Sequence, residues 1–245
     1  MGRCTQVVPW HIEGPLSDQL NLYRGLRSRL TAVNPDERGG QTTSISGLGP
    51  DEYAAVVAQR YARGQTPWDT GVPNSELIRV VEQGDFSGKT VLEFGCGSGT
   101  NSIELARRGY RVTAVDLVEL PILRARERAQ RAGVKVDFRV GDFTRIDLGG
   151  PYDCLFDCSV YDGIRTRDLS GFLRTLQKQS RRATRWLSLA GNAREPNPEG
   201  PPVVREEDIR SELGGLFRIL KVREFRFDLG PNFQPLGWSI LMDRR

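Results

Sequence analysis

The chain has 245 residues, 38% hydrophobic and 27% charged, enough for one α/β domain with extra coverage and a sizeable core. No apolar run approaches the roughly 18 residues of a membrane span. The opening stretch carries Arg3, Glu13, Asp18 and Arg24 where a secretory signal would be apolar, so a cytoplasmic protein without membrane contact is expected; the formal charge of +4 is scattered without a basic block, so nucleic acid is not an expected partner.

Residues 1–50 read as an N-terminal extension or cap. It starts irregularly around Pro9, Gly14 and Pro15 and continues as a short helix after Ser17, with Leu20, Tyr23, Leu26 and Leu30 on one side. A polar, breaker-rich mobile linker follows over 34–46. Residues 51–245 read as a single domain. Its first helix runs from about Asp51 to Arg63, with Tyr53, Val56, Val57 and Tyr61 along one side, and a second runs from Ser75 to Glu82.

From there strands and helices alternate. Thr90 to Phe94 is a strand, followed by a glycine turn at 95–99 and a helix from Asn101 to Arg108 that Gly109 closes. Arg111 to Val115 is the next strand, ending at Asp116. Pro121 suits the first position of a helix reaching Gly133. Val136 to Val140 and residues 152–158 are strands, the latter alternating Tyr152, Cys154, Phe156 and Cys158 against Asp153, Leu155 and Asp157. Thr166 can cap a helix whose stripe is Leu169, Phe172, Leu173 and Leu176. Trp186 to Leu189 is a fifth strand, a Pro/Gly-rich loop covers 191–202, and a short helix carries Ile209 and Leu213. Phe217 to Phe227 and Leu236 to Met242 have no helix between them and can pair as an antiparallel hairpin. The fold class expected is a doubly wound, mostly parallel seven-stranded α/β sheet with a C-terminal antiparallel hairpin.

Cys4, Cys96, Cys154 and Cys158 are too irregularly placed for a disulfide framework, and His11 is the single histidine, so no metal site is expected. The chemistry concentrates elsewhere. In Glu93-Phe94-Gly95-Cys96-Gly97-Ser98-Gly99-Thr100, glycines follow a strand and open a helix, which lets a ligand approach the backbone closely. Asp116, at the end of the second strand, can accept the hydroxyl hydrogens of a ribose. Asp142-Phe143, ending the third, can accept from an adenine amine and offer an apolar wall. A dinucleotide site would want a glycine at position 100, where Thr100 stands, and the acidic Glu93 suits a cation better than phosphates. A nucleoside cofactor carrying positive charge is therefore expected.

Residues 65–160 resemble the class I S-adenosylmethionine-dependent methyltransferases, through residues 93–99, Asp116, Gly141-Asp142-Phe143 and Phe156-Asp157-Cys158. Thr66-Pro67-Trp68-Asp69-Thr70-Gly71 and Asn101-Ser102 are similar to the small-molecule branch that includes thiopurine, halide and thiol methyltransferases. The resemblance implies S-adenosylmethionine as cofactor, with the backbone of Gly95 and Gly97 along its methionine part, Glu93 near its positive charge, Asp116 on the ribose and Leu117 beside the adenine. It further implies Asp142 and Phe143 at the adenine, Cys158 near the methionine amine and Trp68 over the methionine end. Transfer to a heteroatom (O, N or S) of a small-molecule metabolite is expected. No catalytic base is assigned, although His11 can serve if the front segment folds over the site. Tyr161 and Asp162, just past the fourth strand, are the candidates for touching the substrate. A nicotinamide-dependent oxidoreductase and a non-catalytic nucleoside-binding module stand as alternatives, and either a monomer or a homodimer is compatible with the sequence.

Overall fold

A computed structural model describes residues 50–196, 201–230 and 232–245. The expected cap before Pro50, its helix and linker, and His11 lie outside the described residues. The described chain forms α1 (Pro50–Arg63), α2 (Ser75–Glu82), β1 (Thr90–Phe94), α3 (Thr100–Arg107), β2 (Arg111–Asp116), α4 (Glu119–Ala132), β3 (Asp137–Val140) and β4 (Tyr152–Cys158). It continues with α5 (Tyr161–Gln179), β5 (Ser180–Asn192), β6 (Val203–Val204), α6 (Glu206–Leu213), β7 (Phe217–Arg226) and β8 (Leu236–Arg244).

The strands form one sheet in the order β3-β2-β1-β4-β5-β8-β7, with the two-residue β6 pairing β5 off this path. Strands β1 to β5 pair in parallel, and β8 is antiparallel to both β5 and β7. The expected mostly parallel sheet with an antiparallel C-terminal pair is thus observed. Strand order reverses between β1 and β4, and the crevice outside the carboxyl ends of those strands is where a doubly wound sheet accepts a ligand.

Both faces of the sheet are covered, which explains the near-continuous apolar run of β1. Val91 belongs to the core that holds Leu77, Leu105, Ile122 and Phe156, and Leu92 and Phe94 to the core that holds Phe172, Leu176, Trp186 and Ile240. Cys154 is a buried, free thiol in the first of these cores, as small hydrophobes are.

Several boundaries differ from the sequence reading, and those of α4, α5 and β5 have a clear physical reason. Helix α4 begins at Glu119, not Pro121; the missing Pro121 amide falls in the first turn, where N–H groups have no intrahelical partner. Helix α5 begins at Tyr161, five residues before Thr166, because the Asp157 carboxylate accepts the amides of Val160 (3.2 Å) and Tyr161 (3.0 Å) and so satisfies the helix start. The stripe of Leu169, Phe172, Leu173 and Leu176 follows a break at Asp168 (φ −151, ψ 65), whose Oδ1 caps the amide of Gly171 at 2.8 Å. Strand β5 is longer than Trp186 to Leu189 because the polar run Arg181-Arg182-Ala183-Thr184-Arg185 hides its first half.

Candidate functional site

The turn after β1 is built from backbone geometry that glycine adopts without strain. Gly95, Gly97 and Gly99 have φ of 61, 53 and 78°. Space is as restrictive as conformation: a Cβ at Gly99 would lie 2.8 Å from both Ala125 Cβ and Phe138 Cζ, one at Gly97 would lie 2.8 Å from the Tyr61 hydroxyl, and one at Gly95 would collide with Val160. The turn is fixed to the neighbouring strand end by Asp116, whose Oδ2 accepts from the Gly97 amide at 2.8 Å and Oδ1 from the Val118 amide at 2.9 Å. Burial raises the Asp116 carboxyl above its ordinary value, while these amide bonds pull it back.

Glu93 stands on β1 just below this turn, 2% exposed, and accepts from the Ser102 hydroxyl of α3. Burial pushes its carboxyl up to about 8, against the pull of bonds from Ser102 and Asn101. Cys158, at the end of β4, is held up first by burial and then by the nearby charges of Asp157, Asp162 and Glu93, so it marks the middle of a group of buried carboxyls.

Asp142 is half-buried at the end of β3. Its Oδ1 accepts from the Thr144 amide (2.9 Å) and hydroxyl (2.6 Å), and Arg145 approaches Oδ2 at 3.3 Å. Phe143 packs edge-on against Phe94 with ring centroids 5.3 Å apart. Leu117 follows Asp116 directly, beside Val118, which packs with Val57 and Tyr61 of α1. Strand pairing brings Gly95, Asp116, Gly141 and Cys158 to adjacent positions on one rim, and the Gly141 amide donates to the Asp116 carbonyl at 2.9 Å.

One expected substrate contact needs correction. Tyr161 is fully buried, packs on Trp186 and donates its hydroxyl to Glu212 at 2.7 Å, so the start of α5 turns it into the core and not toward an acceptor. Asp162 is buried as well: its Oδ2 accepts from the Gly191 amide at 2.8 Å, and its Oδ1 makes no well-formed hydrogen bond.

The sequence reading named Trp68 but missed Tyr53, Tyr61 and Arg128, which lie near the same turn. Tyr53 and Tyr61 lie eight residues apart on α1, a spacing that signals only a shared helix face. Trp68 donates from Nε1 to the Tyr61 hydroxyl at 3.2 Å. Arg128 of α4 pairs with Asp69 Oδ1 at 2.9 Å and also reaches Ser98, while Asp69 accepts from the Ser98 hydroxyl, so the segment around Trp68 is pinned to the glycine turn. The Asn101 side chain accepts the Asn74 amide at 2.9 Å, pinning the same segment farther along. The Tyr53 phenol is raised by burial and then by Asp116, with Arg167 stacked 4.2 Å over its ring.

The donor set suits a cationic nucleoside: Asp116 offers acceptors for hydroxyls, Glu93 and the neighbouring carboxyls offset positive charge, and the glycine turn leaves backbone bare for close approach. An open cleft of about 460 Å³, lined by Val81, Gly88, Arg108, Gly109 and Tyr110, lies at the opposite, amino ends of the strands and holds none of these groups. Among the described residues no group of acidic, histidine and cysteine side chains is placed to hold a metal ion, and no helix is long and apolar enough to cross a membrane.

Comparison with known proteins agrees with this geometry. Residues 91–182 match the family model described as a methyltransferase domain. A 2-heptyl-1-hydroxyquinolin-4(1H)-one methyltransferase of Mycobacteroides abscessus is 26% identical over 202 residues, covering 80% of this chain and 84% of that protein. Among solved structures, a Burkholderia thailandensis 1,6-didemethyltoxoflavin-N1-methyltransferase, with 1,6-didemethyltoxoflavin and S-adenosylhomocysteine bound, matches with a TM-score of 0.62 at 20% identity, covering 86% of this chain and 97% of that one. A structure reported for the conversion of a disulfide bond into a thioacetal group during echinomycin biosynthesis matches with a TM-score of 0.67 at 22% identity, over 78% and 91% of the two chains.

Proposed function

We propose that the chain is a class I S-adenosylmethionine-dependent methyltransferase that methylates an oxygen, nitrogen or sulfur atom of a compact, partly aromatic metabolite. The observation that carries this reading is the Asp116 carboxylate bonded to the Gly97 amide, with buried Glu93 beneath the same turn. Bound S-adenosylmethionine supplies an electrophilic methyl group on a positively charged sulfur.

Under this reading Asp116 holds the ribose hydroxyls, Leu117 and Phe143 flank the adenine, and Asp142 accepts from its amine. The backbone at Gly95, Gly97 and Cys158 lies along the methionine part, and Glu93 offsets its ammonium. Tyr53 and Tyr61 exclude water from the outer side, with the exposed Trp68 bonded to Tyr61 at its edge, which strengthens every charge interaction inside. Holding acceptor and methyl in line in a dry site supplies much of the acceleration, so the chain's chief task is positioning.

The quinolone and toxoflavin enzymes named above support a flat heteroaromatic acceptor. The nicotinamide alternative has the methyltransferase match against it, together with β8 lying antiparallel between β5 and β7. The test is calorimetric titration with S-adenosylhomocysteine, followed by mass-spectrometric detection of methyl transfer to 2-heptyl-1-hydroxyquinolin-4(1H)-one. Saturable binding supports the cofactor assignment; binding of a reduced nicotinamide dinucleotide in its place would overturn it.

A further inference from the structure

Three buried carboxyls surround the end of β4, and two of them have their oxygens engaged. Asp157 accepts from the amides of Val160 and Tyr161 on Oδ1 and from Trp186 Nε1 at 3.0 Å on Oδ2. Glu93 accepts from Ser102 and is also bonded by Asn101. Asp162 differs: it is 1% exposed, Oδ2 accepts from the Gly191 amide, and Oδ1 is buried. The amides of Gly163 and of Asp162 itself act on this carboxyl, yet Oδ1 makes no well-formed hydrogen bond, and a buried polar atom left so is costly and open to a partner from outside the chain. A Cβ at the next residue, Gly163, would meet nothing within 4 Å, so this first turn of α5 borders open space.

We propose that Asp162 Oδ1 receives the proton of an uncharged O–H or N–H acceptor, which makes neutral protic heteroatoms, not halides or thiolates, the acceptor class of this enzyme. The assignment rests on the methyltransferase reading above. In the step it serves, the acceptor's lone pair forms the bond to the methyl carbon, the electron pair of the broken C–S bond stays on sulfur, and the acceptor's proton passes to the Asp162 carboxylate.

The charge balance favours this arrangement. A sulfonium beside an ionised Asp162 is a neutral pair, and the products, a thioether and a protonated carboxyl, are neutral as well. No net charge is created in the enclosed site. A halide or thiolate would instead enter as an anion among Glu93, Asp157 and Asp162 and leave the carboxylate uncompensated. Burial is the first cause that holds the Asp162 carboxyl well above its ordinary value, which suits it to keep a proton once received. The groups acting on Asp162 and its surroundings are Asp157 and Cys158 of β4, the Gly191 amide of β5, the amides of Gly163 and of Asp162 itself, which pull the carboxyl down, and Tyr53 of α1; Tyr53 in turn feels Asp116, Arg167 and Arg60.

The experiment counts protons without needing turnover. S-adenosylmethionine and S-adenosylhomocysteine share the ammonium and differ in the sulfonium, so Glu93 responds to the shared ammonium with both ligands. Titrating each into the wild-type protein at pH 7, in phosphate and in Tris, gives the protons released from the dependence of heat on buffer ionisation. S-adenosylmethionine is expected to release more protons than S-adenosylhomocysteine does, and Asp162→Asn to abolish that excess while still binding S-adenosylhomocysteine. An equal release by the two ligands in the wild type, or an excess that persists in Asp162→Asn, overturns the proposal while the cofactor reading stands. Failure of both ligands to bind the wild-type protein overturns the cofactor reading and this proposal with it. With 2-heptyl-1-hydroxyquinolin-4(1H)-one as acceptor, Asp162→Asn is expected to lower kcat by roughly 10²-fold or more and to remove the rise of kcat with pH.

Discussion

Asp116 Oδ2 accepts the Gly97 amide at 2.8 Å, so the end of β2 holds the turn that follows β1 in shape before any ligand arrives. Replacing the carboxylate by an amide leaves one oxygen for two backbone donors, Gly97 and Val118. Asp116→Asn is therefore expected to weaken S-adenosylhomocysteine binding by about 10- to 100-fold, the cost of roughly 1–3 kcal/mol for one unsatisfied buried donor and a lost ribose bond. Calorimetry measures this directly, and an unchanged Kd for Asp116→Ala would end the ribose assignment.

Gly99 and Gly109 separate crowding from backbone strain. Both have positive φ, 78 and 91°, but an added Cβ meets Ala125 and Phe138 at the first and nothing within 4 Å at the second. Gly109→Ala is expected to cost about 1 kcal/mol and Gly99→Ala about 3 kcal/mol or more, since two buried side chains must also shift. Thermal unfolding of the two variants under one buffer decides it; equal Tm values would show that the crowding relaxes freely.

Stability should fall with rising pH on account of Glu93. Its carboxyl is raised from 4.5 to about 8 in the folded state, so the folded protein binds this proton more tightly than the unfolded chain does. The stabilisation it gives is complete below pH 4.5 and is lost as pH climbs to about 8. Asp157, raised by burial to about 6, adds the same trend at lower pH. In Glu93→Gln the contribution of the first group disappears, so its Tm should gain on the wild type between pH 5 and pH 8, by about 2–4 °C for each kcal/mol involved. Parallel Tm profiles across that range would show that Glu93 titrates normally.

Arg128 holds the segment around Trp68 against the glycine turn through Asp69 and Ser98. Removing it leaves the Asp69 carboxylate 7% exposed without its guanidinium, at a cost of about 1–2 kcal/mol once the partial exposure of Arg128 is allowed for. Arg128→Ala is expected to raise hydrogen exchange over residues 65–73 and to weaken S-adenosylhomocysteine binding several-fold. Exchange unchanged in that segment would mean that Asn74 and Asn101 hold it alone.

What the sequence made legible was local. The glycine turn, Asp116 and Asp142 each sit at or just past the end of a short strand, and a strand end followed by a turn needs no knowledge of distant parts. The cover formed by Tyr53, Tyr61 and Arg128 was not legible, because it depends on where α1 lies against α4, and helix periodicity names a buried face without naming what it faces. The start of α5 was hidden for a related reason. Asp162-Gly163 has the composition of a turn, and only the Asp157 carboxylate, reaching forward to two amides, makes Tyr161 helical and draws it inward. Tyr161 and Asp162 looked alike as substrate contacts; one helical step places them on different sides.

The position of β8 bears on how the molecule assembles. Strands β5 and β7 are joined only through β8, which is synthesised after both. On a ribosome, β1 to β5 can pair as soon as they emerge, whereas the far edge of β5 stays open until residues 236–244 arrive. The nascent chain thus carries the unpaired edge of β5 from the emergence of that strand until β8 follows, and sealing that edge waits on β8.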